Sequence, residues 1–153
     1  MTVMEPNPLK SNLGNDHLES FGLCRLAGQL FDDFWSDAEI MGKDFRGRKL
    51  ARQRVRRLDS ICANIEEGFG RGFGKELPQH LKIARGEARE SQGRYKRCKY
   101  LLNPETVSNR VATLDHISGG LTKTISTLED RQKRAGTAPD ISSRHPSPVT
   151  RHA

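Results

Sequence analysis

Long apolar runs are missing from this chain. Nothing in it approaches the roughly 18 consecutive apolar residues of a membrane-spanning helix, and the opening "MTVMEPNPLKSN" has no export-signal stretch. Neither a membrane span nor export is expected, and the expected compartment is the cytoplasm. Cysteine is scarce: Cys24, Cys62 and Cys98 form no C-x-x-C, cannot all pair with one another, and each falls in a helix-like segment. They are expected to be reduced thiols in small packing positions. Tryptophan occurs once and apolar residues make up 34% of the 153, which bounds the chain to one domain with a modest core. Catalytic patterns are sparse too. His17, His80, His116, His145 and His152 have no metal-ligand spacing with one another or with the cysteines. No G-x-S-x-G occurs and no acidic pair is set out for acid/base work; Asp32, Asp33, Asp37 and Glu39 read as the solvated second half of a helix. The expectation is a non-catalytic protein with no cofactor, no metal and no small-molecule substrate.

What the chain has is positive charge, unevenly placed. From Lys43 to Lys99 there are 17 Lys and Arg against 7 Asp and Glu, a balance of +10, while the rest carries −3 of the net +7. "RGRKLARQRVRR", Arg46 to Arg57, holds seven basic residues in twelve and no acid. Like charges on adjacent helical turns repel, so a polyanion or an acidic protein surface would relieve them. A solvated helix face is the plainer alternative. On a helix beginning near Arg48, Arg52 and Arg56 share its face at i, i+4 spacing with Lys49 beside them, so phosphates can be tracked along about two turns. Arg46, Arg54, Arg57, Arg71 and Lys75 complete the candidate nucleic-acid-binding set. Arg54 lies on the apolar stripe through Leu58 and Ile61, where it either snorkels outward or meets a carboxylate of another subunit.

Four segments carry helical periodicity. The first places Leu23, Leu26, Ala27, Leu30 and Phe34 on one face and is expected from about Asp16, a possible N-cap with Glu19 three residues on, to Ser36. The second runs its stripe through Ala51, Arg54, Leu58, Ile61 and Ile65 to a stop at Gly68. Leu77, Leu81, Ala84, Ala88, Ser91, Tyr95, Cys98 and Leu102 follow at alternating spacings of four and three, the signature of a packed seam. The fourth opens at Asn103-Pro104-Glu105, read as N-cap, first-turn proline and an acid near the positive helix end. Its seam is Val107, Val111, Leu114, Ser118, Leu121, Ile125 and Leu128; Gly119-Gly120 inside it implies a close contact or a bend. No segment alternates with period two. These features predict an all-α, antiparallel up-down four-helix bundle over 16–134, flanked by disordered tails 1–15 and 135–153 that lack an apolar face. Phe21, Phe31, Ile83 and Ile117 fall beyond the inward stripes and would be covered by self-association.

"EEGFGRGFGKE", Glu66 to Glu76, sets glycine at 68, 70, 72 and 74. A Walker loop would need glycine at Phe69 and a hydroxyl at Glu76, and G-x-G-x-x-G would need glycine at Phe73; both also follow a strand, whereas this stretch follows a helix. It reads as a helix-to-helix connection with Phe69 and Phe73 tucked under the bundle end.

"SICANIEEGFGR", Ser60 to Arg71, resembles the S-x-x-x-N-I-x-E-G-x-x-R signature of the 23S rRNA intervening-sequence proteins, and "HLKIARGEARE", His80 to Glu90, resembles the companion element of that family. The matched positions are Ser60, Asn64, Ile65, Glu67, Gly68, Arg71, Leu81, Ile83, Ala84 and Gly86, with Glu87 where serine is usual. The likeness spans about Leu18 to Leu128. It implies an antiparallel four-helix bundle assembling into a ring, commonly of five subunits. A related branch, the accessory variability determinant proteins of diversity-generating retroelements, consists of basic pentamers that bind a reverse transcriptase and nucleic acid. Physical reading assigns Asn64, Glu67 and Arg71 a structural part, hydrogen-bonding loop amides and one another at the end of helix two. The expected function is a non-catalytic oligomeric accessory protein whose basic surface binds RNA or DNA, with a reverse transcriptase as possible partner. The alternatives are a scaffold for an acidic protein surface and an enzyme of unrecognised type.

Overall fold

The computed structural model describes residues 21–72 and 74–137. Four helices account for nearly all of them: α1 Gly22–Gly42, α2 Phe45–Gly70, α3 Glu76–Arg97 and α4 Pro104–Gly136. No strand occurs among the described residues. Each helix packs on the next and α4 closes against α1, while α1 and α3, like α2 and α4, stand diagonally. Short connections between successive helices make the order up-down. One end of the bundle therefore gathers the end of α1, the start of α2, the end of α3 and the start of α4.

The seams set this arrangement. Leu58, Ile61 and Ile65 of α2, Leu77, Leu81, Ala84, Ala88 and Tyr95 of α3, and Leu114, Leu121 and Ile125 of α4 are buried together with Ala27, Leu30, Phe34 and Met41 of α1. Ile117 joins them and is fully buried, a correction to its expected outward position: α4 faces both α1 and α3, so its apolar stripe is wider than one seam. Phe21 and Phe31 are partly buried against the same core, while Ile83 stays exposed. At the α4 start, Asn103 Oδ1 accepts from the Thr106 amide at 2.7 Å, the cap its sequence implied. Gly120 holds a close contact, since a Cβ there would come within 2.7 Å of Leu23.

Three boundaries differ from expectation. Helix α1 continues past Ser36 to Gly42, because Asp37 and Met41 extend the buried stripe; the expected start at Asp16 with Glu19 lies outside the described residues. Gly68 does not stop α2. It is buried in the last turns of the helix, where a Cβ would approach the His80 Cβ and Leu77 Cδ1 to 3.0 Å, so glycine serves close packing of α3. The reversal itself falls on Gly72, whose φ of 85° is open to glycine at little steric cost. Phe69 packs on Phe21 with ring centroids 4.9 Å apart; Phe73 lies outside the described residues. Helix α4 reaches Gly136, two residues beyond the expected end of the domain. The expected tails otherwise lie outside the described residues.

Candidate nucleic-acid interface

The basic run forms the first half of α2. Asp44 caps the helix, its Oδ1 accepting from the Arg46 amide at 2.8 Å, and its carboxylate also holds the Arg46 guanidinium. That pairing keeps Asp44 well below the usual carboxylate range and raises Arg46. No acid lies inside the first turn. Cations beside the positive end of a helix dipole are unfavourable, so the order of residues here works against helix stability. Gly47 is required for a different reason: a Cβ would stand 2.0 Å from the Met41 carbonyl oxygen where α1 turns into α2.

The predicted cations fall into three groups. Arg48, Lys49, Arg52 and Arg56 are exposed and line one shallow groove of about 550 Å³ with Phe45 and Gln53. None of the four meets a carboxylate among the described residues; Arg48 Nη1 donates only to the Gly42 carbonyl, at 3.4 Å. Arg46, Arg57 and Arg71 are each neutralised. Arg57 donates to both Glu87 oxygens at 2.9 Å and lies 3.4 Å from Glu90, and its pKa rises chiefly through Glu87. Arg71 bonds Glu76 at 3.1 Å and Glu67 at 2.7 Å. With exposed Lys75 it lies at the opposite end of α2, roughly 35 Å from Arg48 at 1.5 Å rise per residue. Arg71 and Lys75 therefore do not share the face of Arg48.

Arg54 leaves the set altogether. It is only 1% exposed, neither snorkelling outward nor presented to another subunit. Its guanidinium carbon sits 3.8 Å from the Tyr95 ring centroid, Nη2 donates to Cys98 Sγ at 3.0 Å, and Nε and Nη1 find no partner among the described residues. The ring face offsets part of the cation's desolvation. Tyr95 Oη in turn donates to Asp37 Oδ2 at 2.9 Å, and Arg110 grips Asp37 through Nε at 2.9 Å and Nη2 at 3.2 Å. Burial, and then the Asp37 charge, push the Tyr95 phenol well above its ordinary value. Hydrogen bonds to Asp37 raise Arg110, against burial, which lowers it. A chain of polar groups thus crosses the bundle from α2 through α3 to α1 and α4. Asp37 is 2% exposed, which corrects its expected place on a solvated face.

The family-signature residues tie α2 to α3. Asn64 Nδ2 donates to the Ser60 carbonyl at 2.8 Å and lies 3.2 Å from Ser60 Oγ, while its Oδ1 faces His80 Nδ1 at 3.3 Å. Asn64 therefore bonds Ser60 and His80 rather than loop amides. Ile65 and Ala84 are buried, and Gly86 is exposed with nothing within 4 Å of where a Cβ would stand. A second, polar depression continues the cationic groove toward α3, lined by Gln53, Arg56, Arg57, Ser60, Glu87 and Arg94. Arg94 Nη1 donates to Gln53 Oε1 at 2.9 Å across the helix pair.

Sequence reasoning missed Phe45, 73% exposed at the head of the groove, although its spacing of three to Arg48 was a usable signal. No described helix is long and apolar enough to cross a membrane. Neither a curated protein nor a solved structure matches the chain. The family model of the 23S rRNA-intervening sequence protein matches residues 27–123, which takes in α1 from Ala27 onward, all of α2 and α3 and most of α4. On that match, with the four-helix fold around it, the chain belongs to the 23S rRNA-intervening sequence protein family.

Proposed function

We propose that this chain is a non-catalytic, self-associating accessory protein that binds nucleic acid through the first half of α2. One observation carries the reading: Arg48, Lys49, Arg52 and Arg56 share an exposed groove, and no carboxylate among the described residues meets them. The other surface arginines of the candidate set are matched by acids. Four unmatched cations on successive turns repel one another, Arg48 and Lys49 near the helix N-terminus also oppose its dipole, and phosphates along a nucleic-acid backbone relieve both. Membership of a family named for an rRNA intervening sequence is in keeping with such a ligand. A nucleoprotein enzyme such as a reverse transcriptase is the kind of partner that would share it.

Self-association rests on exposed apolar side chains that an isolated bundle leaves in water: Trp35, 60% exposed and edge-on to Phe31, with Ile40 on α1 and Ile83 on α3. A repeated contact that uses two different faces closes a ring, and a ring presents several cationic grooves to one polyanion, so modest contacts add through avidity. The size of such a ring is a matter for light scattering.

The test is binding of the purified protein to RNA and DNA across a salt series. Replacing Arg48, Arg52 and Arg56 together by glutamine should weaken binding irrespective of sequence. It should also reduce the slope of log K against log salt by about 2 to 3, at roughly 0.7–0.9 for each phosphate no longer neutralised. A folded triple variant that binds with unchanged affinity and slope removes this face from the reading.

A further inference from the structure

Phe45 is an oddity among these cations. It stands in the first turn of α2, exposed on the stripe that continues at Arg48, Lys49, Arg52 and Arg56, and lines their groove. It is not part of the core cluster of described residues, and the Arg46 guanidinium lies 5.6 Å from its ring centroid. A second aromatic, Tyr100, is 85% exposed in the α3–α4 connection, with Lys99 Nζ 5.1 Å from its ring. Because α2 begins where α3 ends, both rings occupy the same end of the bundle.

Phosphate neutralisation has no use for a ring in water, whereas a base does. In a duplex the base faces are covered by stacking within the helix, so an exposed phenyl group finds base edges, sugar and phosphate there but no open ring face. A single strand offers unstacked faces, and aromatic stacking beside a cationic track is how proteins hold it without reading its sequence. We infer that the preferred ligand of this face is a single-stranded nucleic acid, its phosphates following Arg48, Lys49, Arg52 and Arg56 and its bases stacking on Phe45, with Tyr100 as a second platform. This rests on the nucleic-acid reading above and narrows it. From Phe45 to Arg56 the stripe runs roughly 16 Å, the span of about five nucleotides at a stacked spacing of ~3.4 Å. Each subunit thus engages a short piece of strand.

The experiment measures fluorescence anisotropy of a labelled oligo(dT) or oligo(U) strand and of a labelled duplex of equal length, with the full chain at fixed salt. Wild type should bind both single strands more tightly than the duplex. Phe45→Ala should lower single-strand affinity by about 5- to 150-fold, the range for one stacked base, and leave duplex affinity within about twofold, while Phe45→Trp retains single-strand binding. Tyr100→Ala should act in the same direction. Equal loss on both probes, or no loss on either strand, overturns the stacking assignment while leaving phosphate binding in place. The Arg48→Gln, Arg52→Gln, Arg56→Gln variant instead should weaken both probes together, and failure of wild type to bind any probe overturns both readings. Phe45 contributes no core contact, so its replacement leaves a folded chain to measure.

Discussion

Replacing Asp37 by alanine should damage this bundle more than any other single carboxylate change. The carboxylate is buried and receives three hydrogen bonds, from Tyr95 Oη, Arg110 Nε and Arg110 Nη2. Removing it leaves a phenol in the core without its acceptor and takes two hydrogen bonds from a guanidinium whose side chain is 16% exposed, which keeps Asp33 at 3.3 Å and Asn109 at 3.1 Å. Breaking a buried pair from one side costs about 3–5 kcal/mol, since the desolvated partner remains. For a domain of this size that is a fall in Tm on the order of 10–20 °C, readable by circular dichroism at 222 nm during heating. Asp33 makes a useful control: it also touches Arg110, at 3.3 Å, but is a third exposed, so Asp33→Ala should cost within about 1 kcal/mol. Adding Arg110→Leu to Asp37→Ala removes the half-buried cation that has lost its main partner and should restore at least about 1 kcal/mol. If Asp37→Ala melts within about 1 kcal/mol of wild type, or if the double variant is worse by the sum of its parts, the polar chain across the core is not what holds α1, α3 and α4 in register.

Gly47→Ala should destabilise by about 1–3 kcal/mol or more, because the new Cβ meets the backbone of Met41, which cannot swing aside; Gly86→Ala, in open space on α3, should instead stabilise by up to about 1 kcal/mol. Urea unfolding of the pair decides whether the α1–α2 corner leaves no room for a methyl group. Stability should also fall in alkali. Burial pushes the Cys62 thiol from 9.0 up to about 11 and lifts Tyr95 above its ordinary range. Both groups favour their protonated forms in the fold, so this contribution is complete below pH 9 and is lost through about pH 11 and beyond. A pH series of melting temperatures that stays flat to pH 11 contradicts it. Light scattering at micromolar concentration should report an oligomer, and Trp35→Glu should shift it toward monomer; a wild-type chain that is monomeric there removes the ring.

The fold was legible because the seams are regular: the four-three alternation from Leu77 to Leu102 and from Val107 to Leu128 identifies two helices and their inward faces, and a capped Asn103-Pro104 marks where one begins. Legibility failed where a polar residue sat on an apolar stripe. Asp37 made α1 seem to end at Ser36, and Arg54 seemed to need an exit to solvent. Each has its partner on a different helix, Arg110 and Tyr95 for the first, Tyr95 and Cys98 for the second, and periodicity along one helix carries no information about what stands opposite. An acid on one stripe and an arginine on another were the available hint. Gly68 failed for a related reason, since a glycine that ends a helix and one that admits a neighbouring helix look alike in sequence. Of the candidate interface, the positions of Arg48, Lys49, Arg52 and Arg56 were readable from spacing, whereas the neutralisation of Arg57 by Glu87 and of Arg71 by Glu76 depends on how α3 lies against α2.

The distribution of matched and unmatched charge along α2 has a dynamic consequence. Near one end of this helix of 26 residues stand four cations that meet no acid among the described residues, and the other end closes in the Glu67–Arg71–Glu76 cluster, whose two carboxylates and one guanidinium sum to −1. Such a body experiences a torque in the field of a polyanion before it touches it, and turns its unmatched end forward. For the proposed nucleic-acid ligand, encounters would then begin in the productive attitude instead of finding it by rotation on the surface, an advantage that fades as salt shortens the reach of the field to about 8–10 Å.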